Sequence, residues 1–357
     1  MQTDPKTNIP IRNIFIMYAY SKKFYSLKGA FKGSFDKFDT IKNLTANLFS
    51  KCLSDVIRKG LCRDYTLYQE DLSTVKGTIN IPGSIKCKIK HTSKLNCEFD
   101  EYAEDNAYNR ILKSTAFHIL TWPRDQLDPS VRKKIKSQSV YFSKIQTICL
   151  NNIRWDNIRF SGNNRRYQPI LNLCKFINEE LIQNTGSGSF INSLFENENK
   201  MEILFERFLR EYYKYHYPSI FVKSRLIDWH LGSGLGHIPN LYCDMQFDDG
   251  KKNLILDAKY YSEPLKVHYN RKIVDPHNIH QLYTYVSRKA VEGKPVSGLL
   301  VYARPWGVDL PFESYPFNNN SIDVTSVDLS QPFEFIAHNL DTIIEHYYGI
   351  QPKKHSA

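Results

Sequence analysis

One stretch decides the fold of the second half of the chain: LYCDMQFDDGKKNLILDAKY, residues 241–260. Two apolar runs in it, residues 241–247 and 253–258, have the length of β-strands. The turn signal Asp248-Asp249-Gly250 separates the two runs and is typical of a β-hairpin. The stretch therefore predicts two antiparallel strands joined by a tight turn.

Charged side chains appear where the second of these strands ends. Asp257 and Lys259 are two residues apart, so the period of a strand puts both on one face, with Ala258 on the other. The hairpin brings Asp244, in the first strand, alongside Asp257. We therefore expect two carboxylates and one ammonium group at the same end of the hairpin.

The elements around the hairpin occur in a readable order of helix, three strands, helix and strand. Apolar residues recur at helical spacing from 198 to 216, and Pro218 ends this helix. Asp275 is the predicted N-cap of the second helix. Strands are predicted at residues 220–229, 241–247, 253–258, 298–302 and 322–329, and the second helix at 276–290. A sheet of this kind must be covered by helices, which predicts an α/β or α+β domain.

The first half of the chain has a less regular pattern. Short β-like runs at residues 65–69, 78–81 and 85–89 alternate with helical stretches such as 44–59 and 106–120, which predicts an α+β domain. The stretch at 184–189, Asn-Thr-Gly-Ser-Gly-Ser, is the best candidate linker. We therefore predict two domains, residues 1–185 and 186–357.

Composition narrows the class of protein. Lys and Arg number 48 against 37 Asp and Glu, giving a net charge of +11, which favours a polyanionic partner. The seven cysteines form no paired motif, which favours reduced thiols and a cytoplasmic location. No apolar run approaches the ~20 residues that a membrane span needs, so we expect no membrane. Nor is there a G-x-x-x-x-G-K-[ST] loop, so nucleotide hydrolysis by this chain is not expected.

The charged residues of the hairpin suit metal-dependent phosphodiester hydrolysis. Asp244 and Asp257 can share Mg²⁺ (or Mn²⁺), which activates a water, while Lys259 orients that water or stabilises charge on the phosphate. Glu206, on the first helix, is a candidate third acid and metal ligand. Gln281, one turn before Tyr285, is a candidate ligand of the phosphate or water. The alternatives are a surface ion pair of Asp257 with Lys259 and polar residues on solvated helix flanks.

The element order and these residues together resemble the PD-(D/E)xK nuclease superfamily, which implies an α/β domain with a mixed sheet flanked by helices. The resemblance implies catalytic roles for Asp244, Asp257 and Lys259, although Cys243 stands where that motif usually has proline. The segment from Gln281 to Tyr285 resembles the Q-x-x-x-Y element of RecB-like nucleases.

A more specific resemblance covers most of the chain. Residues 9–20, IPIRNIFIMYAY, resemble the opening of the McrC family, the nuclease subunits of the McrBC modified-cytosine restriction systems. The likeness continues at residues 75–79 (VKGTI), 104–113 (EDNAYNRILK) and 256–261 (LDAKYY). It implies double-stranded DNA with modified cytosine as substrate, a role in phage defence, and an McrB-like AAA+ GTPase hexamer as partner.

The leading hypothesis is thus an Mg²⁺-dependent endonuclease subunit that also stimulates the GTPase of its partner. The resemblance implies that the first domain docks on the partner's ring. Residues 122–167 carry ten basic and three acidic residues, which could serve in docking, contact DNA phosphates, or form a solvated basic face. Two other functions stay open: a non-catalytic activator whose nuclease fold only clamps DNA, and a stand-alone nuclease.

Overall fold

The computed structural model describes residues 9–27, 38, 40–162, 164–182, 198–232, 237–260, 265–268, 271–304 and 311–353. The chain divides into two compact units: Met1–Tyr25 with Thr185–Ala357, and Ser26–Asn184. The linker predicted at residues 184–189 lies outside the described residues. The predicted domains differ from these units at the start of the chain, because residues 1–25 belong with the C-terminal part.

The first helix, α1 (Ile11–Ser21), explains this difference. Nearly all of its residues are buried, so it has no solvated face and must be enclosed on several sides. Asn13 Nδ2 donates hydrogen bonds of 2.7 Å to the carbonyls of both Leu329 and Gln331. The Tyr20 hydroxyl is 2.8 Å from His216 Nε2. These partners lie some two to three hundred residues along the chain, which local sequence patterns cannot reveal.

The unit Ser26–Asn184 combines a small sheet with a group of helices. Its strands pair antiparallel in the order β1-β3-β2, and α2 and α4 pack with α5 and α6. A π-helical segment, Ile177–Ile182, continues α6. The elements are α2 (Ile41–Arg58), β1 (Asp64–Leu72), β2 (Thr78–Ile79), α3 (Ile81–Ile89), β3 (Leu95–Ala103), α4 (Ala107–Thr121), α5 (Pro129–Ser139) and α6 (Gln168–Phe176).

One prediction for this unit is wrong: the β-like run at residues 85–89 is part of helix α3. Asn80 caps the helix, since its side chain accepts a hydrogen bond from Gly83 N at 3.1 Å. Pro82 lies in the first turn, where its missing N–H costs nothing. The alternation of Ile85, Cys87 and Ile89 looked like a strand because the segment is too short for its period to decide.

The larger unit is built on a six-stranded mixed sheet in the order β10-β11-β9-β6-β5-β4. Strands β4, β5 and β6 pair antiparallel, whereas β6, β9 and β11 run parallel. Helix α7 packs on β6 and α8 on β9. The elements are α7 (Glu198–His216), β4 (Phe221–Ile227), β5 (Leu241–Asp248), β6 (Asn253–Tyr260), β7 (Leu265–His268), β8 (Arg271–Val274), α8 (Pro276–Ala290), β9 (Val296–Arg304), β10 (Glu313–Phe317), β11 (Asn320–Asp328) and α9 (Phe333–Tyr348).

The predicted order of helix, three strands, helix and strand is confirmed, as is an α/β fold with a mixed sheet flanked by helices. The Asp275 side chain caps α8 by accepting from His277 N at 3.0 Å. Strands β7, β8 and β10 and helix α9 were not predicted. In the described part of the chain, no helix combines the length and apolar character needed to cross a bilayer.

Candidate functional site

The site is built at the end of β6, the strand that joins the antiparallel part of the sheet to the parallel part. The residues of β6 are buried from Asn253 to Ala258, and Lys259 is the first that is not. Asp257 pairs in register with Leu300 and Lys259 with Tyr302 on the parallel strand β9. Because β6 is covered on both edges and faces, the charged side chains at its end are held in fixed positions.

Asp244 lies in a β-bulge of strand β5. Lys223 pairs with Gln246 and Arg225 with Cys243, so Ser224 on β4 faces two residues, Asp244 and Met245. A bulge bends its strand and redirects the side chains that it carries, and bulges are common beside active sites.

The bulge also ends the regular pairing of β5 with β6. The last regular pair is Met245 with Leu256, and one further step in that register would put Asp244 opposite Asp257. Beyond this pair, the N–H of Ala258 donates its hydrogen bond to a side chain and not to a backbone carbonyl of β5. The acceptor is Asp244 Oδ2, at 3.0 Å. The side chain of Asp244 is thereby fixed to the strand that carries Asp257 and Lys259.

Asp257 and Lys259 form a buried ion pair. Lys259 Nζ is 2.8 Å from Asp257 Oδ2, and the two side chains are 12% and 2% exposed. Despite this distance, Oδ2 accepts no hydrogen bond of good geometry from any described residue. Burying a carboxylate oxygen without full hydrogen bonding is costly, and such atoms often mark a missing ion or ligand.

The electrostatics of the site are dominated by burial and by repulsion among acids. Burial raises the pKa of Asp244 to about 7, and the charges of Asp257 and Glu206 add to the rise. Burial also raises the pKa of Asp257, since the opposing effect of Lys259 is smaller. A cation bound beside the two carboxylates would oppose both effects.

The pKa of Lys259 is raised, as expected for an ammonium group among carboxylates. Burial alone would lower its pKa, but the adjacent Asp257 carboxylate, and then the charges of Asp244 and Glu202, raise the pKa above its ordinary value. Lys259 is therefore protonated at neutral pH. In that state it can stabilise negative charge but cannot take a proton from water.

Glu206 lies near both aspartates, because its charge raises the pKa of each. Its carboxylate, however, is paired with Arg210, whose Nη1 is 2.6 Å from Oε1. Across the described ranges, no three His, Cys, Asp or Glu side chains are grouped closely enough to hold one metal ion. The predicted set of Asp244, Asp257 and Glu206 is thus brought to one region without forming a three-carboxylate cluster.

Two residues of this region were missed in the sequence: Glu202, which acts on Lys259, and Arg210, which pairs with Glu206. Glu202, Glu206 and Arg210 follow each other at intervals of four, so they share one face of α7. This spacing could have identified both residues from the sequence, because Glu206 was already a candidate.

Gln281 is connected to the site through Tyr285. Gln281 Nε2 donates to the Tyr285 hydroxyl at 2.8 Å, and this hydroxyl donates to the carbonyl of Tyr242 at 2.8 Å. Tyr242 comes two residues before Asp244, so the pair on α8 holds the backbone that leads into the bulge. The charges of Asp257 and Asp244 contribute to raising the pKa of Tyr285, after burial. The predicted contact of Gln281 with a phosphate or water stays a prediction.

The chain matches known proteins along most of its length. The sequence model of the family described as "McrBC 5-methylcytosine restriction system component" matches residues 2–303. A relative from Escherichia coli (strain K12), "Type IV methyl-directed restriction enzyme EcoKMcrBC", is 26% identical over 347 residues, covering 95% of this chain and 98% of that protein.

A solved structure has a similar fold. It is described as "Refined half-complex from tetradecameric assembly of Thermococcus gammatolerans McrB AAA+ hexamers with bound McrC". The TM-score is 0.54 at 16% identity, over 94% of this chain and 77% of that chain. At this identity the likeness concerns the fold alone.

Proposed function

The chain belongs to the family of McrBC 5-methylcytosine restriction system components, and from this we propose that it is the Mg²⁺-dependent endonuclease subunit of a modification-dependent restriction complex. Its substrate is double-stranded DNA with modified cytosine. It also binds and stimulates a GTP-hydrolysing AAA+ partner. The observation that carries the proposal is the buried pair of Asp257 and Lys259 beside Asp244 in the bulge of β5.

The arrangement of elements supports a PD-(D/E)xK nuclease domain within the larger unit. Helix α7 precedes the antiparallel strands β4, β5 and β6, and α8 then leads to the parallel strand β9. The three motif residues stand on the second and third strands of this series. A degenerate domain that only clamped DNA would have no chemical reason to keep two aspartates and a lysine in a buried site.

The residues present fit a divalent cation. Mg²⁺ commonly binds through one or two carboxylates and keeps several waters, so Asp244 and Asp257 suffice as protein ligands. Asp257 Oδ2 is buried without a well-aligned hydrogen bond, and burial and neighbouring acids raise the pKa of each aspartate, effects that a bound cation would offset. In this proposal Glu206 is a further acid that would have to leave Arg210 to reach the cation.

Each residue has a defined task in the proposed reaction. When bound, Mg²⁺ supplies the positive charge that activates a water and neutralises charge on the attacked phosphate. Lys259, protonated through its pairing with Asp257, adds positive charge at the phosphate as charge develops there. The Ala258 N–H fixes the Asp244 carboxylate, and Gln281 and Tyr285 fix the backbone before it.

The deciding experiment is cleavage of duplex DNA containing 5-methylcytosine by this chain reconstituted with its AAA+ partner and GTP. We expect cutting with Mg²⁺ or Mn²⁺, none with EDTA, and none by either protein alone. Cutting by the isolated chain would support the stand-alone nuclease instead. Stimulated GTP hydrolysis without cutting under any metal condition would support the non-catalytic clamp.

The unit Ser26–Asn184 offers a surface for the partner on helix α3. Ile81, Ile85 and Ile89 are 67%, 54% and 71% exposed and recur every four residues, so they form one apolar stripe. The helix packs on β3 through its other side, where a Cβ on Gly83 would lie 2.4 Å from Asn96 Oδ1. Exposed apolar patches of this kind mark protein interfaces, so we assign the ring contact to this stripe.

The basic segment at residues 122–167 is a weaker candidate for that contact. Arg132 donates hydrogen bonds of 2.6 Å to the carbonyls of Leu120 and Trp122, so it caps the end of α4. Arg166 donates to Gly60 O at 2.8 Å. Some basic side chains of the segment 122–167 therefore stabilise the fold of this unit, whereas others, on α5, are exposed to solvent.

Replacing Ile85 with Glu should reduce stimulation of the partner's GTPase by about tenfold, because the new carboxylate would be desolvated in the apolar contact. GTP hydrolysis by the partner would be measured at increasing concentrations of the variant. The matched control is Val140→Glu, an aliphatic side chain of the same unit that is 69% exposed. Equal stimulation by the two variants would contradict the assignment.

A further inference from the structure

An ion pair on helix α7 lies beside the proposed cation site. Arg210 Nη1 is 2.6 Å from Glu206 Oε1, and the two side chains are 19% and 27% exposed. Solvent therefore screens this pair only in part, and its attraction is stronger than that of a fully exposed pair. Because helix residues four apart share one face, Arg210 lies on the side of α7 that carries Glu206.

That side of α7 faces the charged residues of the site. The helix packs on β6, the strand that carries Asp257 and Lys259. Burial raises the pKa of Asp244 and of Asp257, and the charge of Glu206 adds to both rises. Against the effect of burial, the charge of Glu202 is among those that raise the pKa of Lys259. Glu206 is thus close enough to act on both proposed ligands.

The Glu206 carboxylate nevertheless stays apart from the two aspartates. Within the described ranges, no three His, Cys, Asp or Glu side chains are close enough to share one metal ion. Arg210 lies one turn after Glu206 on the helix, and Glu202 lies one turn before it. The ion pair therefore directs the Glu206 carboxylate towards the C-terminal end of α7 and away from the turn of Glu202.

We propose that Arg210 is a positioning residue that holds Glu206 out of the cation site, so that Mg²⁺ is bound by two carboxylates, those of Asp244 and Asp257. Mg²⁺ has a near-octahedral shell and usually keeps several waters beside one or two carboxylates. A third carboxylate would occupy a position that the attacking water or a phosphate oxygen needs, and its charge would repel the phosphate. This inference rests on the proposed nuclease function.

The test measures the binding of Mn²⁺ to the full chain by isothermal titration calorimetry, without DNA, so that no cleavage is involved. Arg210→Met removes the guanidinium but keeps a long side chain that suits a helix. The variant should bind Mn²⁺ about tenfold more tightly than wild type, because Glu206 is released to become a third ligand. Arg210→Lys, which can keep the ion pair, should bind Mn²⁺ as wild type does.

The matched control is Lys214→Met, the same kind of change one turn farther along α7. Lys214 also pairs with a glutamate of this helix, Glu211, at 3.2 Å. Its loss should leave the affinity for Mn²⁺ within about twofold, because exposed pairs on a helix contribute little. An equal gain in the control and in Arg210→Met would overturn the inference, since any lost positive charge on α7 would then suffice.

A second background separates release of the carboxylate from loss of positive charge. Arg210→Met combined with Glu206→Gln would be compared with Glu206→Gln alone. We expect no gain in affinity there, because no carboxylate is left to be released. If the gain persists, the charge of Arg210 acts on the cation directly and the inference is overturned.

The outcomes also separate this inference from the proposed function. If wild type binds Mn²⁺ and the complex cuts DNA, but Arg210→Met binds Mn²⁺ no more tightly, the inference alone is overturned. If wild type binds no Mn²⁺ and the complex cuts no methylated DNA, the proposed function fails and the inference fails with it. Equal melting temperatures without metal would show that Arg210→Met is folded. Arg210→Ala, a stronger helix former, gives the same test with a second side chain.

Discussion

Asp257→Asn should lower DNA cleavage by the reconstituted complex by about a thousandfold while leaving stimulation of the partner's GTPase intact. Asparagine keeps the shape of the side chain but removes the charge that would hold a cation and pair with Lys259, 2.8 Å away. The buried site then has one carboxylate ligand fewer, and Mg²⁺ binds poorly to neutral oxygens alone. Initial rates on methylated duplex DNA, with GTP hydrolysis measured in the same reaction, would report both activities.

The control for this substitution is Asp248→Asn, at the opposite end of β5. Asp248 accepts a hydrogen bond from Gly250 N in the turn and lies outside the site, so its loss should leave cleavage within about twofold. Retained cleavage by Asp257→Asn would refute the site. Loss of both cleavage and GTPase stimulation would instead indicate that the variant is misfolded, which a comparison of melting temperatures would detect.

The part of the site that could be predicted is the part that depends on local sequence. The hairpin follows from two apolar runs and an Asp-Asp-Gly turn, and the common face of Asp257 and Lys259 follows from the period of a strand. The helix cap at Asp275 is equally local. These features need no knowledge of distant residues, because each depends on neighbours within a few positions.

The bulge at Asp244 could not be predicted in the same way. The bulge arises because the register of β4 against β5 shifts by one residue between Lys223 and Arg225. Strand register depends on contacts across the sheet and not on the sequence of one strand. The predicted hairpin does bring Asp244 near Asp257, although regular strand pairing ends one residue earlier, at Met245 and Leu256. It gave no reason to expect that the Asp244 carboxylate would accept a hydrogen bond from the Ala258 N–H.

Long-range packing accounts for the remaining differences. Helix α1 joins the C-terminal unit because Asn13 and Tyr20 find partners hundreds of residues away. The ion pair of Glu206 with Arg210 is local, since the two residues are four apart on α7. The position of this pair near the aspartates depends on the packing of α7 against β6, which is a long-range contact.

Without metal, the stability of the chain should fall as pH rises from about 4 to 7, and Mg²⁺ should remove most of this loss. The pKa of Asp244 is about 7 in the folded protein against an ordinary value of 3.8, so between these values the folded state holds a proton that the unfolded state releases. Stability is therefore lost as pH rises, by on the order of 1 kcal/mol per pH unit at the steepest point. The raised pKa of Asp257 acts in the same direction.

Melting temperatures of wild type and Asp244→Asn, measured in EDTA from pH 5 to pH 8, would test this. Asparagine has no proton to lose, so the variant should gain stability relative to wild type as pH rises, by a few degrees across the range. Saturating Mg²⁺ should raise the wild-type melting temperature most at high pH, because the cation binds the ionised carboxylates. A difference between the two proteins that stays constant with pH would mean that Asp244 ionises normally. Burial and the neighbouring acids would then not raise the pKa of Asp244, and the electrostatic reason for a cation at this site would be lost.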